Sequence, residues 1–325
     1  MKTVVGVVLV CALALSLSAC FFSGTVITDT YDNAEAYHTG NFAYRAEDVK
    51  KLEVNWYCGG VILRRVEGDA LRVTESGEEL SSEKALHWLL DDEVLRVEFC
   101  ASGYTGRFSG QDKKLTVEIP SDLEIEVTAT SAGIAAELGK QKNVTLRTTS
   151  GTIEVGGTTE AETLYLGATS GAIHVENLKA EKLTAKTTSG AVKVLKAHAS
   201  DSVHLESTSG AIRAENLDVI GGTVDAESIS GSIRLEAVRT GTLTAETTSG
   251  GVTVGLNECR DASVETTSGS VRLNLSQSLG ATVRVRSTSG SFSGTGYRSE
   301  NGRYIWGDGA CTVSLGTTSG NITVK

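Results

Sequence analysis

Residues 188–231 read TSGAVKVLKAHASDSVHLESTSGAIRAENLDVIGGTVDAESISG, with a Ser-Gly corner at 188–190, 208–210 and 229–231. Between corners the apolar residues alternate with polar ones. Val203 and Leu205 precede the corner at Gly210, and Ile212 and Ala214 follow it. A period of two on both sides of a tight corner reads as strand, turn, strand. Reading outward in both directions, the phrase recurs as TSAG at 130–133 and TSG at 149–151, 169–171, 248–250, 267–269, 288–290 and 318–320. Successive glycines at 133, 151, 171, 190, 210, 231, 250, 269, 290 and 320 are spaced by 18, 20, 19, 20, 21, 19, 19, 21 and 30 residues. A repeat near twenty residues is the signature of a solenoid.

Alignment on the glycine gives columns. Seven residues before it stand Val144, Leu164, Leu183, Val203, Val224, Leu243, Ala262, Val283 and Val313, and two after it Ile153, Ile173, Val192, Ile212, Ile233, Val252, Val271, Phe292 and Ile322. These face inward, and the polar columns between them face out. The small residues three before the glycine, such as Thr148, Thr187 and Ser207, are expected to bond corner backbone groups or one another up the stack. The glycine itself is expected to supply a positive φ for the sharp turn. The fold class is therefore all-β: a parallel β-solenoid (β-helix) of ~20-residue TSG repeats with an N-terminal β cap region. Thirty-six Gly against one Pro and few aromatics agree with it.

The chain start is an address. Lys2 and the apolar run Val4 to Leu17 fit a secretory signal peptide, too short for the span of about twenty residues that a membrane helix needs. Leu17-Ser18-Ala19-Cys20 resembles a bacterial lipobox, which makes Cys20 the lipidation site. The organisation expected is a lipoprotein signal peptide at 1–20 and a flexible tether at 21–46. An N-terminal β region at 47–129 then caps solenoid repeats at 130–325, which carry an insertion at 294–312. Location at the outer face of the cytoplasmic membrane, held by the lipid anchor, follows.

The phrases YHTGNF (37–42), VKKLEVNW (49–56), GGVIL (59–63), LRVTE (71–75), LRVEFCASG (95–103) and KKLTVEIPSDLEIEV (113–127), followed by the TSG repeats, resemble a family of bacterial envelope proteins. That family is labelled an adhesin by inference, or a domain of unknown function. The resemblance implies an extracytoplasmic β-solenoid, often membrane-attached and sometimes linked to envelope stress systems. It brings no catalytic or ligand residues.

Four cysteines remain once Cys11 and Cys20 are set aside. Their order suggests Cys58–Cys100 and Cys259–Cys311 as disulfide candidates, one of three connectivities. Counted along the chain, Cys259 and Cys311 lie two rungs apart. That is about 9–10 Å of stacking, beyond the usual Cα separation in a disulfide, so the insertion must fold back to join them.

Chemistry is sparse. The histidines His38, His87, His174, His198 and His204 share no column, and no metal site or cofactor is expected. Net charge is −10, which argues against nucleic acid as a partner. A polysaccharide-acting β-helix enzyme needs a clustered pair of carboxylates, whereas Asp201, Asp218, Asp225, Asp261 and Asp308 scatter among columns. Two charged columns do form. Glu206, Glu227, Glu246 and Glu265 lie four before the glycine, and Lys193, Arg213, Arg234 and Arg272 three after it. The basic stripe is the preferred ligand surface, suited to an anionic cell-wall polymer, and an envelope protein is the other candidate partner. The function expected is that of a non-catalytic envelope lipoprotein, an adhesin-like binding or scaffolding module. An accessory role in envelope-stress signalling, or the β-helix enzyme, is the alternative.

Overall fold

The structure is a computed structural model that describes residues 25–28, 30–77, 80–108, 113–120 and 122–325. From residue 124 on, each coil runs a strand into the Ser-Gly corner and a strand out of it. Successive coils pair in parallel and in register: Glu206 faces Glu227, which faces Glu246, which faces Glu265. The alternation sets the inside. In the coil Ile173–Thr187, the side chains of Ile173, Val175, Leu178, Ala180, Leu183, Ala185 and Thr187 are all buried. Fully burying one such branched aliphatic contributes about 1.5–3 kcal/mol, and each coil supplies several. One coil alone has no partner for its inner face, so the energy comes from stacking.

The Thr-Ser-Gly corner is a hydrogen-bond clamp. The hydroxyls of Thr148, Thr187, Ser207, Thr247, Thr266 and Thr317 each donate to a carbonyl of the neighbouring coil at 2.9–3.0 Å. All of these oxygens but that of Thr317 also accept from the corner glycine of their own coil; Gly210 N–H, for one, donates to Ser207 at 2.9 Å. The backbone reason for glycine differs from the one expected. None of the corner glycines from Gly151 to Gly320 has a positive φ. A Cβ there would instead sit 1.7–2.0 Å from a carbonyl oxygen of the neighbouring coil. The corners stack too closely for any side chain.

The rungs do not follow chain order at either end. Cys311–Thr317, in the C-terminal coil, pairs with Asp261–Thr266 on one edge and with Ala281–Ser287 on the other. The glycine contacts agree, with Gly320 seated on the Gly269 carbonyl and Gly290 on that of Gly320. The C-terminal coil is thus tucked beneath the coil that precedes it in sequence, and Cys259 and Cys311 lie on neighbouring rungs, not two apart. At the other end, Lys51–Trp56 lies between Glu124–Ala129 and Val94–Glu98, and Gly60–Arg65 between Gly133–Glu137 and Lys113–Ile119. The first coil is tucked one rung inward in the same way.

Antiparallel strands cover the outer edge at the N-terminal end and part of it at the C-terminal end. Ala70–Gly77 pairs with Lys113–Ile119, and His87–Asp91 with Val94–Glu98. Within the stretch expected to be a tether, Phe42–Arg45 pairs with Ala70–Gly77 and His38–Thr39 with His87–Asp91. At the C-terminal end the insertion folds as a hairpin, Arg298–Glu300 on Arg303–Trp306, laid against Ala281–Val283. Phe292, Tyr297, Tyr304 and Trp306 pack together there, with ring centroids 4.2–6.0 Å apart. Covering an open strand edge removes a template for unwanted pairing.

Candidate binding surfaces

In a parallel stack each outward column becomes a straight line of side chains at the rung spacing, about 4.8 Å. The column four before the corner glycine reads, in spatial order, Arg147, Gly167, Lys186, Glu206, Glu227, Glu246, Glu265, Gly316 and Arg286. Lys186 reaches Glu206 at 2.8 Å, and that bond holds the Glu206 carboxyl below the ordinary range. His204, two residues before Glu206 on the same face, lies 2.9 Å from Asp225. Among the described residues Glu227, Glu246 and Glu265 have no cation within ion-pair distance. Partial burial, reinforced by Glu265, Glu227 and Asp225, raises the Glu246 carboxyl above its ordinary value. The three carboxylates line a groove of about 840 Å³ floored by Ser and Thr hydroxyls and ended by Gly316 and Arg286.

The basic column also forms a line. Lys193 faces Arg213, Arg213 faces Arg234, and after Thr253 comes Arg272. Its middle is neutralised within each rung: Arg213 binds Glu215 at 2.8 Å, and Arg234 binds Glu236 at 2.8 Å. A carboxylate two residues on along the same strand face turns each arginine back on itself. Among the described residues the basic stripe thus keeps two unpaired cations, Lys193 and Arg272, set apart at its ends, whereas the acidic one keeps three unpaired carboxylates on successive rungs.

The remaining site residues are dispersed. Cys20 lies outside the described residues. Cys58 and Cys100 are both buried beside Lys113. Cys259 and Cys311 lie next to the facing pair Asp261 and Thr312, and the Cys259 thiol donates to the Asp261 carbonyl at 3.1 Å. His198 pairs with Asp218 at 3.2 Å, and His38 packs on Trp88.

Lys113 itself escaped the sequence reading. Its side chain is wholly buried, 2.6 Å from a Glu75 carboxylate oxygen, and it donates to the backbone carbonyls of Lys84 and Phe99. The ammonium lies 4.1 Å from the Phe99 ring centroid, with Trp56 at 5.0 Å and Phe108 at 5.7 Å. Burial depresses its proton affinity, and Glu75 offsets part of that. Two backbone carbonyls and the Glu75 carboxylate surround the ammonium, a structural ion pair inside an aromatic cage. The signal was there: Lys113, Leu115, Val117 and Ile119 share the inward phase of one strand.

The sequence profile described as Toastrack DUF4097 matches residues 49–325. No curated protein matches the chain. Among solved structures, a proposed cell adhesion protein from Clostridium sporogenes ATCC 15579 shows 11% identity over 89% of this chain and 99% of its own, with a TM-score of 0.21. Proposed adhesins from Bacteroides fragilis NCTC 9343 and Parabacteroides distasonis ATCC 8503 each show 12% identity and a TM-score of 0.40. They cover 88% and 89% of this chain and 96% and 97% of their own.

Proposed function

Since the chain belongs to the Toastrack DUF4097 family, whose name specifies no activity, we propose that it is a non-catalytic binding or scaffolding module of the bacterial envelope. It is held at the outer face of the cytoplasmic membrane by a lipid on Cys20, and its working surface is the acidic ladder Glu227–Glu246–Glu265. The observation that carries this reading is the contrast in neutralisation. Lys186–Glu206, Arg213–Glu215 and Arg234–Glu236 are paired, while three successive carboxylates in one groove have no cation among the described residues within ion-pair distance. Like charges on facing strand positions destabilise a sheet. A cationic partner relieves that repulsion, and its own charge is neutralised in return. The partner class that fits is a basic segment of another envelope protein. An anionic wall polymer would have to rely mainly on Lys193 and Arg272, since the two arginines between them are already engaged.

The test is titration of the chain with a lysine-rich peptide at low and moderate salt. Replacing Glu227, Glu246 and Glu265 with Gln should weaken binding at least tenfold. An equal-charge control, Gln at the exposed Glu154, Glu162 and Glu181, should change it little. Equal losses in the two triple variants would reduce the effect to net charge and overturn the assignment.

A further inference from the structure

The coil nearest each chain terminus is not the outermost coil, and each of these tucked coils carries a cysteine: Cys58 near the N-terminal end and Cys311 near the C-terminal end. The C-terminal coil has hydrogen-bonded strands on both edges. Its covalent route to the rest of the solenoid nevertheless runs only through the outermost coil and the hairpin, residues 276–310. If those peel away, only its strand pairing with the single coil Asp261–Leu275 retains it.

We infer that Cys259 and Cys311 form a disulfide that staples the tucked C-terminal coil directly to the body of the solenoid. The backbone brings them together. Thr312 N–H donates to the Arg260 carbonyl at 2.8 Å and Asp261 faces Thr312, so the two cysteines flank one pairing of neighbouring rungs. Cys259 is partly exposed and Cys311 is buried, so an incoming oxidant meets Cys259 first. The thiolate of Cys259 attacks one sulfur of a low-molecular-weight disulfide or of an oxidised dithiol oxidoreductase. A mixed disulfide forms and one thiol leaves. The Cys311 thiolate then attacks Cys259 Sγ, forming the intramolecular S–S bond and releasing the second thiol. Two electrons and the two cysteine protons end on the oxidant's two thiols. This bond stands apart from the acidic ladder and does not depend on what that ladder binds.

The experiment exposes the reduced full chain in detergent to oxidised glutathione, then maps tryptic peptides without reduction. The expected result is one cross-linked species joining peptide 240–260 to peptide 304–325, with both thiols protected from alkylation under denaturing conditions. A second measurement cuts the hairpin between residues 298 and 303 with protease and applies mild denaturant. The C-terminal fragment should stay attached in the oxidised protein and leave in the reduced one. Glutathione carried separately by the two cysteines, both thiols still open to alkylation, or release of the fragment regardless of oxidation would each overturn the inference.

Discussion

Adjacent glycines at 250 and 251 make a sharp test of the corner. A Cβ at Gly250 would lie 2.0 Å from the Gly231 carbonyl oxygen and 2.5 Å from its carbon, whereas at Gly251 the nearest atom is the Ser270 oxygen at 3.4 Å. Gly250→Ala must therefore push two rungs apart by about 1 Å or more, since no carbon sits within 3 Å of a carbonyl oxygen without repulsion. That displacement breaks the clamp: Gly250 N–H to Thr247 at 3.3 Å, Thr247 to the Gly231 carbonyl at 3.0 Å, and Ser249 N–H to the Ile229 carbonyl at 2.9 Å. Three bonds at about 1 kcal/mol each, with about 1–3 kcal/mol of overpacking strain, give a loss of roughly 4–6 kcal/mol. Gly251→Ala should be neutral or stabilise by about 0.4–1 kcal/mol through the unfolded chain. The equivalent positions Ala172, Ala191 and Ala211 already carry the methyl group. Urea unfolding followed by circular dichroism, with hydrogen exchange to localise the weakened rungs, separates the two variants. If Gly250→Ala unfolds at the same urea concentration as Gly251→Ala, close stacking is not why glycine stands at the corner.

Thr187→Val removes the hydroxyl that joins Gly190 N–H to the Gly171 carbonyl and should cost about 1–3 kcal/mol in the same denaturation assay. Thr187→Ser should retain most of the stability, because Ser207 performs the same task one rung on. Glu246→Gln should stabilise the fold at neutral pH by about 0.8 kcal/mol, from two neighbouring carboxylates about 5 Å away in screened water. The sign is set by the raised carboxyl: the folded state binds the proton more tightly than the unfolded chain. Stability therefore falls as pH rises from the ordinary carboxylate value through the raised one. Denaturation midpoints across that window should slope downward less in the Gln variant, and unchanged slopes would count against unrelieved repulsion. Lys113→Met leaves Glu75 buried without its cation and should cost about 3–5 kcal/mol. Adding Glu75→Gln should recover part of the loss, and a denaturant series on the single and double variants measures the coupling.

Much of the architecture was legible because a parallel, in-register stack repeats one local rule. The inward columns, the outward charged lines and the hydroxyl three before the glycine all follow from period two and a fixed corner. The choice between the two charged lines was not legible in the same way. Glu215 and Glu236 stand two residues after Arg213 and Arg234, but only the strand geometry shows that those side chains meet. Lys113 was hidden for the opposite reason. An inward lysine contradicts the hydropathy rule, and its cage draws Trp56, Phe99, Phe108 and Glu75 from four separate segments.

By itself the sequence determined the coil: its length, its inward and outward faces, and the need for glycine at the corner, since each is a property of one repeat. The tertiary structure decided the order of the rungs. Asp261–Leu275, Ala281–Gly294 and Cys311–Val324 carry nearly the same alternation, so any of them can stack on any other with its apolar face inward. What places Ala281–Gly294 outermost is the hairpin. Arg303–Trp306 needs a free edge at Ala281–Val283, and Tyr304 needs Phe292 beside it at 4.2 Å. Those contacts exist only when the C-terminal coil takes the rung beneath, where Cys311 meets Cys259.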